Sequence, residues 1–164
     1  MRRAPVLMML ALLAATPASA RDSLGIFEGW GAFRDAATPR CYAIAQPVSP
    51  RQSTQSATGF AAVGTWPRQH VRGQVHFRLS HGHAARAPVT LSVGERRFTL
   101  VAGQADAWAG NPRDDAAIIA TMRSASSMSI QTIGTNGRAF ADTYALRGAA
   151  TAIDAAALGC ARLR

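Results

Sequence analysis

The strongest constraint on the fold is a pair of alternating apolar stretches that end in tight turns. Val89, Leu91 and Val93 alternate with Thr90 and Ser92, and Gly94-Glu95 then turns the chain into a second stretch at 96–101. Alternation of period two puts every second side chain on one sheet face, and a two-residue loop beginning with glycine suits a type II′ hairpin. The same logic joins 128–133 to 139–146 around Asn136-Gly137, a pair that tolerates the positive φ of a type I′ turn. Residues 74–80 read as a half-buried strand, with Val75, Phe77 and Leu79 inward and Gln74, His76 and Arg78 outward. Residues 41–48 and 59–66 read as earlier strands stopped by prolines, with a polar loop at 51–58 between them.

Two helices interrupt this pattern. Asn111 caps the first, Pro112 takes its first position, Asp114 and Asp115 sit in its first turn, and Ile118, Ile119 and Met122 give it an apolar face. A terminal helix from 151 to about 161, with Thr151 and Asp154 in a capping arrangement, carries Cys160 back to the sheet. The chain therefore reads as mainly β: an antiparallel β-sandwich of about seven strands with one inserted short helix and a C-terminal helix. Residues 21–40, where Gly25, Gly29 and Gly31 argue for an extended or looped path, form a lead-in to a single domain at 41–164.

The first twenty residues read as an export signal. Arg2 and Arg3 supply the positive start, residues 6–15 an apolar run too short to span a bilayer, and Ala18-Ser19-Ala20 a small-residue cleavage site. Cleavage near Ala20 leaves a periplasmic or secreted chain with no transmembrane segment. In an oxidising compartment its two cysteines, Cys41 and Cys160, form a single bridge. The rival reading, Cys41 as a catalytic thiol, needs a reduced cysteine and an identifiable base.

All 18 basic residues are arginine, and the net charge of +9 falls to +7 when Arg2 and Arg3 leave with the signal. No Asp or Glu occurs from Ala36 to Gly94, while Arg40, Arg51, Arg68, Arg72, Arg78, Arg86 and all four histidines do. Arg68, Arg72, His76, Arg78 and Arg86 are thus candidates for a surface that meets an anionic envelope lipid or polysaccharide. Nucleic acid is not expected as a partner, because export removes it and no recognition motif is present.

The runs Gly29-Trp30-Gly31-Ala32-Phe33 and Arg40-Cys41-Tyr42-Ala43-Ile44-Ala45-Gln46 resemble the start of the invasion-associated locus B family of exported bacterial proteins. Trp30 matches the family's opening tryptophan and Cys41 its second cysteine, whereas Arg34 stands where the first cysteine falls and the later pair is missing. The resemblance implies a small envelope-associated β-sandwich, named for a role in host-cell invasion, and brings no catalytic residues.

Chemical motifs are sparse. His81-Gly82-His83 is the pattern closest to a metal site, since residues two apart on a strand share a face, yet no carboxylate neighbours it and it reads as a polar turn. No Gly-x-Ser-x-Gly elbow and no phosphate-cradling glycine loop occurs, and the first turn of a helix accounts for Asp114-Asp115. Trp66 and Trp108 read as buried anchors. The leading expectation is a non-enzymatic protein without a cofactor, acting through contacts with a protein or an anionic envelope component. The alternatives are a metal-assisted hydrolase using His76, His81 and His83, and an inhibitor or chaperone of envelope enzymes. The sequence assigns no oligomeric state.

Overall fold

The computed structural model describes residues 21–35, 37–48 and 59–161. The export signal read at 1–20 and the polar loop read at 51–58 lie outside the described residues. The chain is mainly β, with ten antiparallel strands in one open sheet and two α-helices among the described residues. In chain order the strands are β1 Asp22–Phe27, β2 Trp30–Asp35, β3 Arg40–Ala45, β4 Phe60–Trp66, β5 Val71–Arg78, β6 Val89–Val93, β7 Arg96–Ala102, β8 Asp106–Trp108, β9 Ser127–Ile133 and β10 Ala139–Ala145. The helices are α1 Pro112–Met122 and α2 Ala149–Cys160. The strands lie side by side as β1-β2-β3-β4-β5-β8-β7-β6-β9-β10.

The sheet folds over on itself so that its inner face encloses one core. Phe77 of β5 lies 6.3 Å from Tyr144 of β10 across that core, and the Trp30 indole N–H of β2 donates to the Ala145 carbonyl at 2.8 Å. The Val48 N–H also reaches the Thr143 carbonyl at 2.7 Å. Val75, Phe77 and Leu79 are buried as their alternation requires.

The count of ten strands exceeds the seven or so legible in the sequence, chiefly because residues 22–35, read as an extended or looped lead-in, form the hairpin β1–β2. Its glycines are accommodated individually. Gly25 has a φ of +143° at a bulge in β1, and at Gly31 a Cβ would stand 2.6 Å from the Phe33 ring, so the aromatic fills the place a side chain would take.

The turn chemistry divides. Gly94 has a φ of +55° and Glu95 a negative one, the sign pattern of a type II′ turn. The β9–β10 hairpin forms at its expected place but not with a type I′ turn. Among its residues only Gly137 has positive φ, at +74°, while Gly137 N–H bonds to Gly134 O and Gly134 N–H to Arg138 O. This is a type I turn closed by a left-handed glycine, and the Asn136 side chain completes it by accepting the Arg138 N–H at 2.9 Å.

Helix α1 begins as expected, with the Asn111 side chain accepting the N–H groups of Arg113 and Asp114, both at 3.0 Å. Asp115 has a second task. β8 is only three residues long and covers β5 only from His76 to Arg78, so the Val75 N–H loses its strand partner and is taken by Asp115 Oδ1 at 2.7 Å. Burial raises the Asp115 carboxyl above its ordinary value of 3.8, opposed by the Val75 hydrogen bond and reinforced by Asp114. The folded state therefore holds this proton more tightly than the unfolded chain, and the group's contribution to stability declines as pH rises from 3.8 through the folded value. Replacing Asp115 by Ala orphans a buried N–H and is expected to cost about 1–3 kcal/mol in urea unfolding. Asp115→Asn keeps an acceptor, so it should cost less and flatten that decline.

Helix α2 starts two residues earlier than its sequence suggests, at Ala149 after Gly148, whose φ is +85°. Thr151 and Asp154 do not cap it. Asp154 instead takes both arms of Arg123, at 2.6 and 3.1 Å, and that guanidinium holds its carboxyl below the usual range. Ala149, Ala152, Ala156 and Cys160 form its buried face, and Cys160 is joined to Cys41 of β3 in a disulfide that spans 119 residues.

Candidate functional site

Among the described residues both helices bury their apolar faces in the core, and neither covers the outer face of β1–β5, β8 and β7. Register decides which residues share that face. Ile26, Gly31, Ile44, Ala62, His76, Trp108 and Val101 are successive pairing partners across seven strands. At about 4.8 Å per strand, this row is roughly 29 Å long. Its ends are open, with Ile26 66% and Val101 59% exposed, each the penultimate residue of its strand.

Aromatic side chains thicken the row on both sides. The His76 ring stacks on Trp108 with centroids 5.1 Å apart and planes 11° from parallel, and Phe60 meets it edge-on at 5.3 Å. Two residues along each strand, Phe33 and Tyr42 pack at 5.7 Å and the Arg40 guanidinium lies 5.4 Å over the Tyr42 ring. At Gly64 a Cβ would stand 2.5 Å from the Trp66 ring, so this indole lies flat over the sheet. Trp66 and Trp108 are thus half-buried surface residues rather than core anchors, and Trp30 is the tryptophan in the core.

The charges on this face are paired. Asp106 accepts from His76 Nε2 at 3.0 Å with one oxygen and from Arg78 Nη1 at 2.6 Å with the other. Asp35 sits 3.4 Å from Arg40, and its carboxyl is held below the usual range by the Thr38 N–H and then by Arg40. The acid-free segment is therefore partly neutralised by acids that lie outside it in sequence. Both oxygens of Asp106 are therefore engaged, one by His76 and one by Arg78.

Of the candidates for an anionic surface, His76 and Arg78 come together on Asp106. Arg68 lies in the 3-10 turn Pro67–Gln69, Arg72 near the start of β5 and Arg86 in the β5–β6 loop, where its φ is +68°. Arg72 and Arg78 stand six residues apart on one strand, roughly 20 Å. Arg68, Arg72 and Arg86 form no ion pair among the described residues.

The histidines also separate. His76 bonds Asp106, His81 Nδ1 lies 2.9 Å from Ser80 Oγ, and His83 Nδ1 lies 3.2 Å from the Gln104 carbonyl. Among the described residues no three His, Cys, Asp or Glu side chains converge to hold a metal ion, so His76, His81 and His83 do not act as one cluster. Ser80, His81 and Asp142 do meet, but in an order unlike that of a hydrolytic triad. The Ser80 hydroxyl donates to Asp142, so the imidazole is not placed as its base. Sequence reasoning missed Asp106 and Asp142, because each acts on partners far away in the chain. Nothing in the sequence around Trp108 reports that it stacks on His76, 32 residues earlier.

No protein-family model matches the chain, and neither a curated protein nor a solved structure matches it.

Proposed function

We propose that the chain is an exported, non-enzymatic binding protein of the bacterial envelope, similar to the invasion-associated locus B proteins, that docks a protein partner on the outer face of β1–β5, β8 and β7. The observation that carries this reading is the continuous row from Ile26 to Val101, apolar at both ends and aromatic beside His76. Stable interfaces centre on aromatic residues surrounded by a polar rim rich in arginine, and Trp108, Phe60, Tyr42, Arg40 and Arg78 supply both parts. Pairing of His76 and Arg78 with Asp106 leaves little free positive charge here, which favours a protein over an anionic lipid or polysaccharide. The disulfide, and the absence of a helix long and apolar enough to cross a membrane among the described residues, are compatible with export.

The test is capture from an envelope extract with wild type and with an Ile26→Ser/Trp108→Ala/Val101→Ser variant. The reading expects a stoichiometric partner that the variant binds about 30-fold more weakly or worse, equivalent to loss of a hot spot of about 2 kcal/mol. Equal capture by both proteins, with matching thermal midpoints, would remove this face from consideration.

A further inference from the structure

A second surface lies away from the aromatic face, where the loop between β9 and β10 meets the segment that follows β5. There a cleft of about 320 Å³ is lined by His81, Gly134, Asn136, Arg138 and Phe140, among others. Its histidine is held from behind. Asp142, only 5% exposed, accepts the Ser80 N–H at 2.8 Å and the Ser80 hydroxyl at 2.5 Å. The single hydroxyl proton is thereby committed, so Ser80 Oγ acts as acceptor toward His81 Nδ1 at 2.9 Å. Nδ1 then carries a proton, and in the neutral imidazole Nε2 is the acceptor.

The other walls differ in chemistry. Phe140 packs its ring 5.2 Å from the His81 ring and supplies an apolar surface. Arg138 makes no ion pair among the described residues. The Asn136 carbonyl oxygen is taken by the Arg138 N–H, which leaves its amide hydrogens to donate. Among the described residues no carboxylate lines the cleft. Gly134 keeps it open, since a Cβ there would stand 3.0 Å from the Asn136 side-chain oxygen.

We propose that this cleft binds an acidic saccharide. The sugar carboxylate pairs with Arg138, the apolar face of the ring lies on Phe140, and a ring hydroxyl donates to His81 Nε2. Each group removes a simpler ligand: an inorganic anion offers nothing to Phe140 or to an acceptor nitrogen, and a neutral sugar leaves Arg138 without a counter-charge. Ser80 and Asp142 are positioning residues, acting only through His81.

The experiment titrates the full mature chain with glucuronic acid and a short glucuronate oligosaccharide, following the His81 and Phe140 ring resonances. Saturable shifts are expected, with glucose and acetate binding at least about tenfold more weakly. Arg138→Gln, an exposed change that leaves the fold intact, should weaken glucuronate binding by about tenfold or more, in line with loss of a charge-assisted pair. The Ile26→Ser/Trp108→Ala/Val101→Ser variant should bind glucuronate like wild type, which separates this site from the protein-docking face. Absence of saturable shifts with both probes, or equal affinity for glucose and acetate, would overturn the proposal.

Discussion

Removing the Cys41–Cys160 disulfide by a double Cys→Ala substitution is expected to lower the thermal midpoint by roughly 10–20 °C. The bridge closes 119 residues, and the chain-entropy model assigns a loop of that size about 4–5 kcal/mol. For a domain of this length each kcal/mol moves the midpoint by a few degrees. The effect is large here because of what else holds α2. Its buried face is built from Ala149, Ala152, Ala156 and the single larger Ile153, and alanines remove little apolar surface from water. Both cysteines are buried, so a thiol reductant should attack the folded protein slowly and rapidly only near the midpoint. Calorimetry of the two proteins measures the difference, and a drop of less than about 3 °C would mean that packing alone retains the helix.

The second large effect is expected at Trp30. Its side chain is fully buried and its indole N–H joins β2 to the Ala145 carbonyl of β10, a contact 115 residues long that brings opposite ends of the sheet together. Trp30→Ala should cost about 3–5 kcal/mol, read as a lower urea midpoint, because the cavity lies between strands that cannot collapse independently. Trp30→Phe keeps most of the volume and loses the hydrogen bond alone. It should cost about 1–2 kcal/mol, since Ala145 is exposed and its carbonyl regains water. Equal losses in both variants would place the value of Trp30 in the hydrogen bond instead of the packing.

Local chemistry was the legible part of this fold. The start of α1 is written in Asn111, Pro112, Asp114 and Asp115, and the inward set Val75, Phe77 and Leu79 follows from alternation alone. Residues 22–35 were less legible because glycine lowers strand propensity without forbidding a strand, and only the fold shows that the Phe33 ring covers Gly31. The cap assigned to Thr151 and Asp154 failed for a related reason. Spacing identifies a possible local partner, whereas Arg123, 31 residues earlier, offers Asp154 two charge-assisted bonds.

The sites were harder to read for the same physical cause. Alternation tells which face of its own strand a residue occupies, but not which strand lies alongside. His76 and Arg78 were correctly placed together on the outward face of β5, while their shared acid comes from β8, 28 and 30 residues away. The Ser80–Asp142 contact that fixes His81 spans 62 residues. The acid-free segment from Ala36 to Gly94 suggested a broad cationic surface, and strand pairing then supplied it with Asp35 and Asp106. What remains on the face is chiefly aromatic and apolar.

Site-specific photo-crosslinking in cells tests that assignment most directly. A benzophenone side chain replaces Val101 at one end of the row or, as a control, Leu158, which is 73% exposed on α2. Docking on the outer sheet face predicts a discrete protein adduct from position 101 and none of that mass from position 158. An adduct from 158 alone, or the same adducts from both positions, would contradict it.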